Sequence, residues 1–140
     1  MTPPTPLRGV TEALTALKRR GIRIALTTGF DREITDSVLS TVGWDDSLLD
    51  AVVCADDVAE SRPAPYMIFR AMEATRTHSV TEVLTAGDTV LDLRAGTNSG
   101  ARFVVAVLSG GQDRATLATA PHTHILNSVA DIAQLLELAP

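Results

Sequence analysis

Short apolar runs alternate along this chain with segments of helical periodicity. Ile22 to Leu26, Ala51 to Cys54, Glu82 to Ala86, Arg102 to Leu108 and His124 to Leu126 read as strands, most of them bounded by glycine or polar residues. Between them, Val10, Ala13, Leu14 and Leu17 recur at helical spacing, with Lys18, Arg19 and Arg20 where the helix dipole favours cations and Gly21 to close. Asp31 can cap a second helix whose apolar face is Ile34, Val38, Leu39 and Val42, ended by Gly43. Pro63 and Pro65 bracket the entry to a helix over Tyr66 to Ala74, with Ile68 and Met72 facing inward. A further helix runs to Gly100, Asp113 can start a short one, and Ser128 with Asp131 forms a capping signature for the last. Thr2 to Pro6 reads as an extended lead-in. Such alternation calls for an α/β fold, a doubly wound parallel sheet with helices on both faces.

At 140 residues the chain is one domain's worth, spanning 1–140. Its net charge of -5, with twelve Lys and Arg scattered along it, excludes a phosphate-backbone surface, so no nucleic-acid partner is expected. Apolar runs of at most about six residues are too short to span a bilayer. The Pro-rich start has no signal-peptide core, and a cytoplasmic protein is expected. Cys54, the single cysteine, leaves no internal disulfide and reads as a small buried group.

The chemistry gathers where strands end. In Val83-Leu84-Thr85-Ala86-Gly87-Asp88-Thr89-Val90-Leu91-Asp92 an apolar run stops at Gly-Asp, and a second carboxylate follows four residues later. With a strand before Asp88 and a helix after it, Asp88 and Asp92 face one pocket at the strand's C-terminal tip, where α/β sheets bind ligands. Two acids there suit a hard cation such as magnesium; a helix cap plus an exposed acid is the plainer alternative. Thr28 with the Gly29 amide can cradle a phosphoryl oxygen, or be an ordinary turn. Arg62 can neutralise a phosphoryl group, or be a solvated loop arginine. His78, His122 and His124 read as surface residues, and Asp45, Asp46, Asp50, Asp56 and Asp57 as a solvated acidic rim from which Asp56 or Asp57 could position Arg62. Trp44 is either a core anchor or a contact for another domain.

These residues resemble the motifs of the haloacid dehalogenase superfamily. Ile24 to Phe30 is similar to the family's second motif, Ser61-Arg62-Pro63-Ala64-Pro65 to the third in its phosphonatase-like branch, which uses arginine where most members have lysine, and Ala86-Gly87-Asp88-Thr89 with Asp92 to the fourth. The run Thr27 to Glu33 also resembles phosphonoacetaldehyde hydrolase and its relatives. The resemblance covers Leu7 to about Leu136. It implies a Rossmann-like core and a magnesium-dependent hydrolase of a small phosphorylated metabolite, either a phosphate ester or a phosphonate, working through a phospho-aspartyl intermediate. By the same resemblance Asp88 is a magnesium ligand, Asp92 a second or water-mediated partner with a catalytic role, and Thr28, Gly29 and Arg62 bind and stabilise the phosphoryl group.

One family motif has no counterpart. An Asp-x-Asp occurs nowhere in the 140 residues; Asp45-Asp46 and Asp56-Asp57 are adjacent pairs. The resemblance therefore implies a truncated core lacking the first central strand, its nucleophile and the cap, and inactive alone. The strands at Ile22 to Leu26 and Glu82 to Ala86 are then expected either to pair with each other or to leave inner edges open, favouring self-association or a strand borrowed from another chain. Ser61 stands where relatives usually have glycine, and the Schiff-base lysine of phosphonoacetaldehyde hydrolase has no counterpart. Two other readings follow: a non-catalytic phosphate- and magnesium-binding or interaction module of the same ancestry, and a phosphoryl-receiver domain. The latter needs a lysine after its last main strand, and none follows Leu126 there.

Overall fold

Phe103–Val107 is the best-buried strand of the computed structural model, which describes residues 9–138. Its side chains alternate between two helical layers, as a period of two requires. Val105 and Val107 pack with Leu135 on one face, and Val104 and Ala106 with Leu93 and Leu117 on the other. A strand covered on both faces must be apolar throughout, and this one is.

In chain order the elements are α1 (Val10–Arg19), β1 (Ala25–Thr27), α2 (Arg32–Val42), β2 (Ala51–Val53), α3 (Tyr66–Ala74), β3 (Leu84–Gly87), α4 (Val90–Ser99), β4 (Phe103–Val107), α5 (Arg114–Leu117), β5 (His124–Leu126) and α6 (Ile132–Leu138). All strand pairings are parallel. Val10, Leu14 and Leu17 of α1 join Leu48, Leu49 and Ile132 in one apolar layer; Met67 and Ala71 of α3 pack with Val53 on the opposite side. The doubly wound α/β architecture expected from the alternation is present.

The strands form two sheets, β1 with β2 and β3 with β4 and β5. Of the two outcomes expected without a central strand, direct pairing of β1 with β3 does not occur; among the described residues no strand pairs with their inner edges. Both strands are short, β1 beginning at Ala25 instead of Ile22 and β3 at Leu84 instead of Glu82. Ahead of β1 the Ile24 amide donates to the Asp50 carboxylate at 2.8 Å, and ahead of β3 residues Val80–Glu82 form a 3-10 turn.

Several side chains sit differently from their sequence expectation. Ile34 is exposed instead of facing the core; Thr35 is the buried residue of α2. Trp44 proves to be a core anchor, packing on the α1 layer with its indole N–H donating to Thr11 Oγ1 at 2.9 Å. Asp50 is no free rim charge: it pairs with Lys18 at 2.8 Å while accepting the Ile24 amide, so it ties α1 to the start of β1. The predicted lead-in, Thr2 to Pro6, lies outside the described residues.

The hydrogen bond from Lys18, followed by that of the Ile24 amide, holds the Asp50 carboxyl below its ordinary value of 3.8. A carboxyl depressed in the folded state contributes stability above its unfolded pKa, and loses it as pH falls through the folded value. Thermal melts taken from pH 7 to pH 3 should therefore show Tm dropping below about pH 4. Asp50→Asn should have a lower Tm at pH 7 and a smaller drop on acidification.

Candidate functional site

β1 pairs with β2 and β3 with β4, and the other edges of β1 and β3 line one crevice between the two sheets. In α/β sheets that crevice, at the strands' carboxyl ends, collects ligands. Thr28 and Gly29 leave β1 there, and Gly87 and Asp88 leave β3.

Arg62 joins the two. Its Nη1 donates to Asp92 Oδ1 at 2.5 Å, and both side chains are about three-quarters buried, at 26% and 20% exposure. Its Nη2 lies over Gly29, where a Cβ would come within 2.6 Å of it, so only glycine allows this approach. The buried Nε has no hydrogen-bond partner among the described residues. The guanidinium is thus partly neutralised and partly unsatisfied, an arrangement that favours an incoming anion. The Asn98 amide fixes the Arg62 loop by donating to the Pro63 carbonyl at 2.8 Å.

Asp92 is heavily committed. Oδ2 accepts from the amides of Asp88 and Thr89, each at 3.2 Å, and from Thr89 Oγ1 at 2.9 Å, while Thr89 Oγ1 accepts the Asp92 amide at 3.2 Å. This reciprocal capping box starts α4 and fixes the carboxylate that holds Arg62. Gly87 permits it, since a Cβ at that position would lie 2.2 Å from Asp92 Cβ.

Asp88 contrasts with it, its carboxylate having no hydrogen-bond or ion-pair partner among the described residues. It lies instead against Gly110, where a Cβ would come within 2.2 Å of Oδ2. A half-buried, unpaired carboxylate oxygen at a strand tip fits a hard divalent cation. Asp92, bonded to the Asp88 amide, stands behind it. Thr28 Oγ1 accepts the Phe30 amide at 3.1 Å, which leaves its hydroxyl proton free to donate.

The acidic residues expected to assist Arg62 serve another arginine. Asp57 Oδ2 accepts the Cys54 amide at 2.8 Å and pairs with Arg32 at 2.7 Å, and Asp56 accepts the Arg32 amide at 3.2 Å. The Cys54 amide, then the charge of Arg32, hold the Asp57 carboxyl below its ordinary value. Cys54, Asp56 and Asp57 lie close enough together for a cation, but Asp57 is already spent on these bonds. Sequence reading missed Asn98 and Gln112, whose Oε1 accepts the Val90 amide at 2.8 Å. Both act on residues more than twenty positions away, with no local signal; Thr89-x-x-Asp92 was a readable capping pattern.

Replacing Gly87 by alanine should push Asp92 aside, lowering stability by about 1–3 kcal/mol. Chemical denaturation of Gly87→Ala beside Gly111→Ala, where no atom lies within 4 Å, provides the comparison.

A family model described as haloacid dehalogenase-like hydrolase matches residues 3–106. Phosphonoacetaldehyde hydrolase of Bacillus cereus strain G9842 is 34% identical over 109 residues, 78% of this chain and 41% of that protein. The chain thus spans about two-fifths of the length of the curated relatives it matches. Among solved structures, a phosphonoacetaldehyde hydrolase-like protein from Oleispira antarctica superimposes with a TM-score of 0.84 at 21% identity, covering 94% of this chain and 55% of that one. A hydrolase from Pseudomonas syringae gives 0.82 at 24% identity, covering 96% and 60%. With a site assembled at the carboxyl ends of β1 and β3 and a family match across most of its length, this chain belongs to the haloacid dehalogenase-like hydrolase family, on its phosphonatase-like side.

Proposed function

We propose that these residues form the phosphoryl-binding part of a magnesium-dependent hydrolase of a small phosphate ester or phosphonate. The observation that carries this reading is the Arg62 guanidinium, paired with Asp92, laid over Gly29 and left with an unsatisfied Nε at the sheet's carboxyl end.

Arg62 offsets the charge of the phosphoryl oxygens, and its pairing with Asp92 fixes its direction beforehand, so little reorganisation is needed. The Thr28 hydroxyl and the Gly29 amide donate to the same group. Asp88, with Asp92 behind it, would hold a magnesium ion, which would supply positive charge to offset that of the phosphoryl group. The attacking carboxylate comes from outside the 140 residues. Its oxygen bonds phosphorus as the bond to the leaving group breaks and the leaving group gains a proton. Water then attacks the acyl phosphate, releasing inorganic phosphate and the free carboxylate. The second reading, a binding module without turnover, is favoured by the absence of any Asp-x-Asp in the sequence.

The 140-residue chain should bind inorganic phosphate in the presence of magnesium, yet fail to hydrolyse p-nitrophenyl phosphate alone. Turnover on adding a synthetic segment carrying Asp-x-Asp selects the hydrolase; binding without turnover selects the module; no phosphate binding rejects both. Arg62→Ala should weaken phosphate binding about tenfold or more, the worth of a charge-assisted hydrogen bond. Magnesium titration calorimetry should lose its signal in Asp88→Asn while Tm stays close to that of the parent, because the Asp88 side chain holds no structural partner.

A further inference from the structure

The start of α4 carries amides that its own turns cannot satisfy. Its capping box takes those of Thr89 and Asp92. The Val90 amide turns instead to Gln112 Oε1 at 2.8 Å, from a residue 22 positions further along the chain. Because an N–H must meet an acceptor, that bond fixes which end of the Gln112 amide faces α4.

Residues 108–112 lead from β4 towards α5. The connection is held at its beginning by the Leu108 amide, which donates to the Leu126 carbonyl at 3.0 Å. Beyond its end Asp113 caps α5, and fully buried Leu117 packs with Leu93 of α4. Between those anchors lie Ser109, Gly110 and Gly111, all exposed, and Gln112 ties them to the start of α4.

Gly110 is where this turn meets the site. A Cβ there would lie 2.2 Å from Asp88 Oδ2, 2.5 Å from its Cβ and 2.6 Å from its Cγ, so the main chain of the turn rests directly on the Asp88 side chain. Gly111, next along, meets nothing within 4 Å. The Asp88 carboxylate has no hydrogen-bond or ion-pair partner among the described residues, so no polar bond selects its rotamer. A side chain without such a bond spreads over its staggered wells unless packing closes some of them. Asp92 fixes the main chain of Asp88 by accepting its amide, which leaves the direction of the side chain to Gly110.

We infer that Gln112 is a positioning residue: its bond to Val90 seats Gly110 on Asp88, and Gly110 holds the carboxylate in one direction. A ligand already pointed loses less rotamer freedom on binding a cation, and groups that orient a metal ligand commonly change affinity by about 10- to 100-fold. The gain in magnesium affinity rests on Asp88 being a cation ligand, as proposed; the seating does not.

The test measures the three-bond couplings to Asp88 Cγ, which report its χ1 rotamer, in the metal-free 140-residue chain, and magnesium affinity of the same proteins by calorimetry. In the parent, Asp88 should occupy one rotamer. Gln112→Met, similar in length but without the acceptor, should average the couplings and weaken magnesium binding about tenfold. Gln112→Glu, which keeps an acceptor oxygen, should retain the parent's couplings. Gly110→Ala should shift them with the Val90 bond intact, and decides the matter if Gln112→Met does not fold; Gly111→Ala should leave both readings as in the parent. A lower Tm in Gln112→Met with parental couplings means that Gln112 only caps α4, and overturns the inference. Averaged couplings in the parent overturn it as well. Failure of the parent to bind magnesium rejects the cation reading alone, because the couplings still decide the seating.

Discussion

A main-chain amide buried in a sheet must find a partner, and among the described residues this fold meets that requirement everywhere along β4 but on only one edge of β1 and of β3. The two half-sheets share no ladder. What keeps them in register is the pair of helical layers above and below them and a few contacts that cross from one half to the other. Val10, Leu14 and Leu17 join Ile132 over one face, and α3 lies beside α4 over the other. At the carboxyl end the Arg62–Asp92 ion pair and the Asn98 bond to Pro63 link the loop after β2 to α4.

Functional geometry follows from that arrangement. The site is assembled from both halves: Thr28, Gly29 and Arg62 belong to the β1–β2 side and Asp88 and Asp92 to the β3 side. Arg62 can lie over the loop after β1 because Gly29 carries no side chain, and Asp92 can sit against the end of β3 because Gly87 carries none. Asp92 is the fixed post, with both oxygens occupied, and Asp88 the free one. Two acids of the same type, four residues apart, thereby have unlike parts to play.

Much of this was legible from residue patterns alone. Asp31, Asp113 and Ser128 cap where their type and position indicate, each accepting a nearby amide. Tyr66–Ala74 and His124–Leu126 have the expected bounds, because proline or polar residues punctuate their ends. The strand ends were less legible: β1 and β3 begin later than expected, where the Ile24 amide turns to the Asp50 carboxylate and residues 80–82 form a 3-10 turn, and no local residue type records such choices. Ile34 follows a helical apolar stripe, but α2 offers the core only Thr35 fully. The Asp57–Arg32 and Asp50–Lys18 pairs depend on which loops meet, and such long-range choices leave no local trace.

The packing of α1 has a topological consequence. Its first residues lie on the layer that includes Val129 and Ile132, beside the cavity between β1 and β3, and its last lead through residues 20–24 into β1. A strand joined to the start of α1 and lying next to β1 would make, with α1, a right-handed crossover of the usual βαβ kind, its main-chain groups meeting the edge of β1 that faces away from β2.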